Sequence, residues 1–421
     1  MRLDVDFVRS NFPAFELPGL ATGEQAFFEN AGGSFPCRHT VDAMARLYRE
    51  NKVQPYSAYA MSAALGEAMD QAHERWATAL GVETDDVSFG PSTSMNTYVL
   101  AHAFAETLGG GDEVIVTNQD HEANTGAVRR MADRVGATLR EWRIDPGTGL
   151  LDPDVFASLL SERTRLVTFP HASNIVGQEN DVAQLVAMAH EVGARVIVDG
   201  VSFAPHALPD LAALGADVYL FSLYKTYSVH QGLMVTRNGV RDELPNQGHH
   251  FNAGIAHKRL TPAGPDHVQV AASAAVLDYI SELHVHHGGH PDDGMRHAAK
   301  AVTELWQDHE SQLVQPVLQW LADSSAVRLL GPGPDPAGDL GHRCPTVAFV
   351  PLAAEPADVA QGLIDRGIMT GHGSYYADRV LDGLDVDVAR GVVRLSWVHY
   401  TSMADIELLL ASLDAVIGAT A

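Results

Sequence analysis

The sequence predicts an α/β protein: a large domain built on a mostly parallel, seven-stranded sheet, followed by a smaller α+β domain at the carboxyl end. Three observations carry this reading. Short β-branched runs near residues 87, 114, 139, 166, 196, 218 and 233 alternate with helical segments, the order that builds a parallel sheet covered on both faces. From about residue 293 the pattern changes to helices followed by strands. Between these regimes Asp199 ends one apolar run and Lys225 follows the next, so both fall at the carboxyl edge of the sheet, where such sheets bind ligands. We therefore divide the chain into an N-terminal segment, residues 1–20, that packs on the small domain, a large domain over 21–292, and a small domain over 293–421.

With 421 residues and 46% apolar content the chain can bury a large core, and disorder is not expected. Its 28 basic against 53 acidic residues give a net charge of -25, which repels phosphate backbones and anionic bilayers; no nucleic-acid or membrane partner is expected. The opening residues lack the apolar centre of a signal peptide, and no run of about 18 apolar residues could span a bilayer, so a cytoplasmic protein is expected. Two cysteines, Cys37 and Cys344, build no disulfide framework and have no metal-ligand spacing.

Taken in order, residues 3–15 place Val5, Phe7, Val8, Phe12 and Phe15 as the apolar positions of a short helix that must dock on something larger. FFENAGGSFP follows as a strand running into glycines, or as a plain turn. Helices are expected over 37–50 and 59–80, then a strand at 87–89 and the loop Gly90-Pro91-Ser92-Thr93-Ser94, which opens a helix over 95–108. Free amides and the positive end of that helix suit a phosphate, although Ser and Thr are also ordinary caps. The strand at 113–117 leads to His121, placed to lay its ring on a planar group. Strands at 138–142 and 165–169 continue the alternation, and the second opens into His171-Ala172-Ser173-Asn174-Ile175-Val176-Gly177.

Residues 195–232 read as strand, loop, short helix, strand and loop. A carboxylate at Asp199 can keep a pyridine nitrogen protonated and an amine at Lys225 can bond an aldehyde, but the two residues taken alone equally read as a helix cap and a surface lysine. The loop Thr261 to His267 precedes a helix over 268–283. The run from His284 to His290 invites a zinc or nickel reading; with Gly288-Gly289 and no acidic or cysteine partner at a recognisable spacing, it reads as a solvated loop with no metal. Helices over 295–309 and 313–322, strands at 327–330 and 346–351, a helix over 357–366, a strand at 391–398 and a helix over 404–413 complete the chain, with a flexible Pro- and Gly-rich loop at 331–341. Arg394 interrupts an otherwise apolar strand and must meet an anion; its planar fork suits a carboxylate, and a structural acid would serve as well as a ligand.

Together FFENAGG, SNIVG, DGVSFAPH, SLYKTY and VRLS resemble the class V aminotransferases of fold type I, which include cysteine desulfurases, selenocysteine lyases, kynureninase and isopenicillin N epimerase. The resemblance spans Phe27 to Ser396 and is greatest to a desulfurase-like branch. It implies pyridoxal 5'-phosphate as cofactor, Lys225 as the residue that bonds its aldehyde, Asp199 as partner of its ring nitrogen, and His121 as the stacking ring. It further implies Thr93, Ser94 and Ser222 at the phosphate, Asn174 at the phenolic oxygen, and Ser202 and Tyr224 at positions where desulfurases have glutamine and histidine. By the same resemblance Arg394 grips the α-carboxylate of an amino acid, and Asn30, Ala31, Gly32 and Ser374 are substrate contacts. Gly264 and His267 are expected to reach a second subunit's phosphate site, which implies a homodimer with shared active sites; Pro265 stands where threonine is usual.

Ser374 occupies the place of the desulfurase cysteine, and a hydroxyl does not accept sulfur as a thiolate does. Cys37, at a helix start that would stabilise a thiolate, is the fallback. The expected activity is thus a carbon–sulfur lyase without a persulfide, with aminotransfer or epimerisation as the alternative; a non-catalytic scaffold would need none of Lys225, Asp199, His121 and Arg394.

Overall fold

Both faces of the large sheet are buried except along the edge strand Thr138–Trp142, and this explains why the other strands show as short apolar runs. The computed structural model describes residues 2–334 and 343–418. In chain order the strands are β1 (Ala26–Phe27), β2 (Val87–Gly90), β3 (Glu113–Thr117), β4 (Thr138–Trp142), β5 (Thr164–Pro170), β6 (Arg195–Asp199), β7 (Val218–Ser222), β8 (Gly232–Thr236), β9 (Val327–Leu330), β10 (Thr346–Pro351), β11 (Ile368–Met369), β12 (Gly371–Gly373) and β13 (Val392–Ser396).

The large sheet has the order β2-β8-β7-β6-β5-β3-β4, seven strands as expected. Only β8 runs against its neighbours. Alternation along each strand sends Val114, Val116, Leu166, Ile197 and Leu220 to the face covered by the helices Thr93–Ala105 and Glu122–Val135. Ile115, Val167, Val196, Val198 and Phe221 go to the opposite face.

The smaller sheet, β12-β13-β10-β9, is antiparallel, and Val347, Phe349, Val393, Leu395 and Trp397 form its core with the helices Pro356–Ile364 and Met403–Ile417. The sequence predicts two helices over 295–309 and 313–322, but the structure has one, Met295–Asp323, with Pro316 inside it. Ala299, Val302 and Trp306 pack in the large core while Leu313, Val317 and Leu321 pack in the small one, so burial of both halves against different cores holds the helix continuous. The expected helix over 268–283 is divided at Ala274 into His267–Ser273 and Ala275–His286.

The N-terminal segment touches both bodies: Arg9 pairs with Asp405, while Asp4 bonds His286 at 2.9 Å and Phe12 packs edge-on against Tyr227 and Tyr279. β1 pairs with β11 and carries the chain from Phe27 past Ser396 toward the cleft between the two sheets. Residues 335–341 of the expected loop lie outside the described residues. Among the described residues, no helix is long and apolar enough to cross a membrane.

Candidate active site

Asp199 is the last residue of β6, and Ser222 ends the adjacent β7, from which a single turn, Leu223–Lys225, lifts the lysine over the sheet edge. Asp199 and Lys225 line one cavity of about 230 Å³ with Ser92, Thr93, Ser94, His121, Asn174, Ser202, Ser222 and Tyr224. Ten of the residues singled out from the sequence, or adjacent to them in its loops, thus converge although they come from five segments of the chain.

Lys225 is buried, and desolvation lowers its pKa to about 8, helped by the positive charge of Arg394 and opposed by Asp199 and Glu29. Burial raises the Asp199 carboxyl, against a hydrogen bond from Val201 N–H to Oδ1 at 2.8 Å and the attraction of Lys225. A buried carboxylate held this way is matched by a protonated ring nitrogen, which would supply the countercharge it lacks.

His121 caps the helix Glu122–Val135, its Nδ1 accepting from Ala123 N–H at 3.0 Å. The neutral ring therefore carries its proton on Nε2. Burial, followed by Lys225 and Arg394, lowers its pKa to about 3, so the ring is an uncharged plate rather than an acid.

The hydroxyl-rich end of the cavity is built by the helix Thr93–Ala105, with Ser92 as its cap. Thr93 Oγ1 lies 2.7 Å from Ser222 Oγ. A Cβ on Gly232 would stand 2.4 Å from both Ser92 C and Thr93 N, so only a glycine in β8 lets this loop lie on the sheet edge. Hydroxyls at a helix N-terminus, a buried carboxylate, a flat neutral ring and an amine within one cavity fit pyridoxal phosphate: Thr93, Ser94 and Ser222 would hold its phosphate, His121 its face and Asp199 its nitrogen. Asn174 keeps one N–H for the phenolic oxygen; the other donates to Tyr375 O at 3.1 Å, and its buried Oδ1 has no partner. Tyr224 stacks on His230, with ring centroids 4.8 Å apart.

Arg394, in β13, is 3% exposed and already holds an anion: Nη2 donates to Glu29 Oε1 at 2.9 Å, and Nη1 donates to Asn174 O at 3.2 Å. The Tyr375 ring covers it, 3.8 Å from Cζ. Tyr375 and Tyr376 are consecutive left-handed residues with φ of 54° and 57°. The sequence reading did not single out Glu29, Tyr375, Tyr376 or the buried Asp120 that faces Asp199; an acid beside the first turn was the available signal for Glu29.

Other residues named from the sequence lie outside the Lys225 cavity. Asn30 is committed to internal bonds, Nδ2 donating to Ser396 O at 3.2 Å and Oδ1 accepting from Tyr400, and Ala31 N–H donates to Ser396 Oγ at 2.8 Å. Gly32 N–H donates to Glu29 O at 2.9 Å, closing the turn that carries Glu29 to Arg394. Ser374 does not line the cavity; it is half-buried, its carbonyl accepting from Ala377 N–H. Gly264 and His267 line a different cavity, with Tyr56 and Phe251. Cys37 is fully buried beside Thr40 and desolvation raises its thiol, which removes the expected thiolate; burial raises Cys344 likewise. His284 is helical and buried, not part of a solvated loop, and Asp293 supplies an acidic partner 2.8 Å away that spacing does not reveal; with His297 their ligand atoms lie within 4.8 Å of one another.

Residues 26–287 match the family model described as aminotransferase class-V. The chain is 31% identical to an aminotransferase-like protein of Gibberella zeae, over 98% of each chain. It is 28% identical to a probable cysteine desulfurase of Mycolicibacterium paratuberculosis, covering 98% of this chain and 58% of the relative. Among solved structures it superposes on a cysteine desulfurase of Escherichia coli with a TM-score of 0.81 at 21% identity, over 100% of both chains. The apo cysteine desulfurase of Thermococcus onnurineus NA1 gives 0.84 at 21% identity, over 100% of this chain and 99% of that one.

Proposed function

We propose, from the premise that the chain belongs to the aminotransferase class-V family, that it is a carbon–sulfur lyase that releases a thiol from the β-carbon of an amino acid without using a protein thiol. The family and the fold make it a pyridoxal-phosphate enzyme of the desulfurase-like branch, acting on an amino-acid-type substrate. The observation that carries the finer reading is the state of the two cysteines, both buried and neither lining the cavity of Lys225.

When bound, pyridoxal phosphate supplies an electron sink for the carbanion at Cα. Lys225 sits where burial disfavours its charged form, and its neutral amine would take the α-proton. The Cβ–S bond then breaks, the electron pair leaves with the sulfur as a thiolate, and the unsaturated amine left from the substrate is released, takes up one water and loses one ammonia to give an oxo acid. Arg394 orients the substrate through its carboxylate, and His121 excludes water from one face. Gly264 and His267 lie apart from their own chain's Lys225, which supports a role for them at the site of a second subunit in a homodimer.

A second reading, aminotransfer, is favoured by the full-length similarity to an aminotransferase-like protein. Incubating holoenzyme with S-substituted cysteines and common amino donors separates them. Elimination releases thiol, ammonia and oxo acid in equal amounts; transfer releases no ammonia at any stage, and only one equivalent of oxo acid per site until an acceptor is added. No thiol from any conjugate sinks the lyase reading.

A further inference from the structure

The guanidinium that would receive a substrate carboxylate is already paired with one from its own chain. Arg394 Nη2 lies 2.9 Å from Glu29 Oε1, and the side chains are 3% and 29% exposed. Such pairs normally close as a two-bonded fork. This one is half-open: Glu29 Oε2 and Arg394 Nε are both buried and have no hydrogen-bond partner. Glycines make the room for it, since a Cβ on Gly32 would stand 2.9 Å from Glu29 Oε1 and one on Gly371 3.1 Å from Oε2.

A buried guanidinium needs an anion at all times, because an uncompensated charge out of water is costly. Glu29 meets that need before substrate arrives. It does so with one bond rather than two, and from a side chain that remains partly open to solvent and can leave. An incoming carboxylate that makes the full fork replaces a tethered one that makes half of it.

We propose that Glu29 is a specificity-determining residue: it is the resting occupant of the carboxylate subsite, and an α-amino acid binds by displacing it from Arg394. This rests on the reading of the chain as an enzyme acting on amino acids. The exchange penalises small amino acids, whose only strong contact is their carboxylate, and favours substrates whose side chains add binding of their own. An amine without a carboxylate has nothing to exchange and is unaffected.

The test titrates the visible spectrum of holoenzyme with L-alanine and with ethylamine, its counterpart lacking the carboxylate, in wild type, Glu29→Gln and Glu29→Ala. Gln is nearly isosteric, and retention of the cofactor band shows that each variant is folded. Half-saturation by L-alanine is expected to fall at least about tenfold in both variants, the worth of one charge-assisted hydrogen bond, with ethylamine unchanged. Unchanged or weaker L-alanine binding in both variants, while wild type still responds, overturns the proposal alone. An equal gain for ethylamine overturns it too, by showing a general loosening of the pocket. A wild-type band that persists in Lys225→Ala sinks the broader functional reading and this proposal with it.

Discussion

Thr93 Oγ1 lies 2.7 Å from Ser222 Oγ, joining the first turn of a helix to the last residue of the strand that delivers Lys225. The hydroxyls proposed to hold the phosphate and the amine proposed to bond the aldehyde are therefore positioned by one contact. Replacing either hydroxyl, as Thr93→Val or Ser222→Ala, is expected to weaken pyridoxal phosphate binding about tenfold, measured by equilibrium dialysis, because each removes one hydrogen bond to an anion.

Gly232 makes the same point through the backbone. Gly232→Ala drives a methyl group into Ser92 C and Thr93 N, each 2.4 Å away, and backbone rather than a flexible side chain must move. Loss of at least about 2 kcal/mol of stability is expected together with weaker cofactor binding, read by denaturant titration and dialysis.

Lys225 is charged at a cost in the cofactor-free protein. Its folded pKa of about 8 lies below the ordinary 10.5, so between these values the unfolded chain holds more protons and stability rises with pH, whereas below pH 8 the full penalty applies. Lys225→Met is expected to stabilise the cofactor-free protein at pH 7 by up to about 3 kcal/mol and to flatten its stability between pH 8 and 10.5. A lower melting temperature for the mutant at pH 7 would count against a buried, desolvated lysine.

His121 and His171 act on the acid side. Burial lowers each from 6.5 to about 3, so the unfolded chain takes up protons first and stability falls as pH drops from 6.5 toward 3. Each contributes a slope of about 1.4 kcal/mol per pH unit in that window. His121→Phe should remove its share, seen by comparing denaturation midpoints at pH 7, 5 and 4, and turnover should show no titration from His121 between pH 5 and 8.

The cysteines give the simplest test of the reaction. Cys37→Ala is expected to leave turnover within about twofold of wild type, since its thiol is buried beside Thr40 and held neutral. Loss of activity with an unchanged melting temperature would restore a persulfide role.

Six strands of the large sheet were legible because both faces are buried there, which forces apolar runs such as 196–198 and 218–221; the edge strand Thr138–Trp142 is half open and was legible from the alternation with helices. Asp199 and Lys225 were legible because each sits at a strand end, where local pattern places it at the sheet edge. The helix Met295–Asp323 was less so: its polar residues at 310–312 look like a break, and only packing against two cores shows why the helix continues.

By itself, the amino-acid sequence determined the sheet, the family and the residues that converge on the Lys225 cavity, since strand periodicity and short motifs are local properties of the chain. Only the tertiary structure decided what those residues touch. Glu29 and Arg394 stand 365 positions apart and meet because the chain leaving β1 bridges to β13 at Ser396, and Cys37 is silenced because the core closes over it. Pairing and desolvation depend on distances between segments, and no local pattern in the chain encodes them.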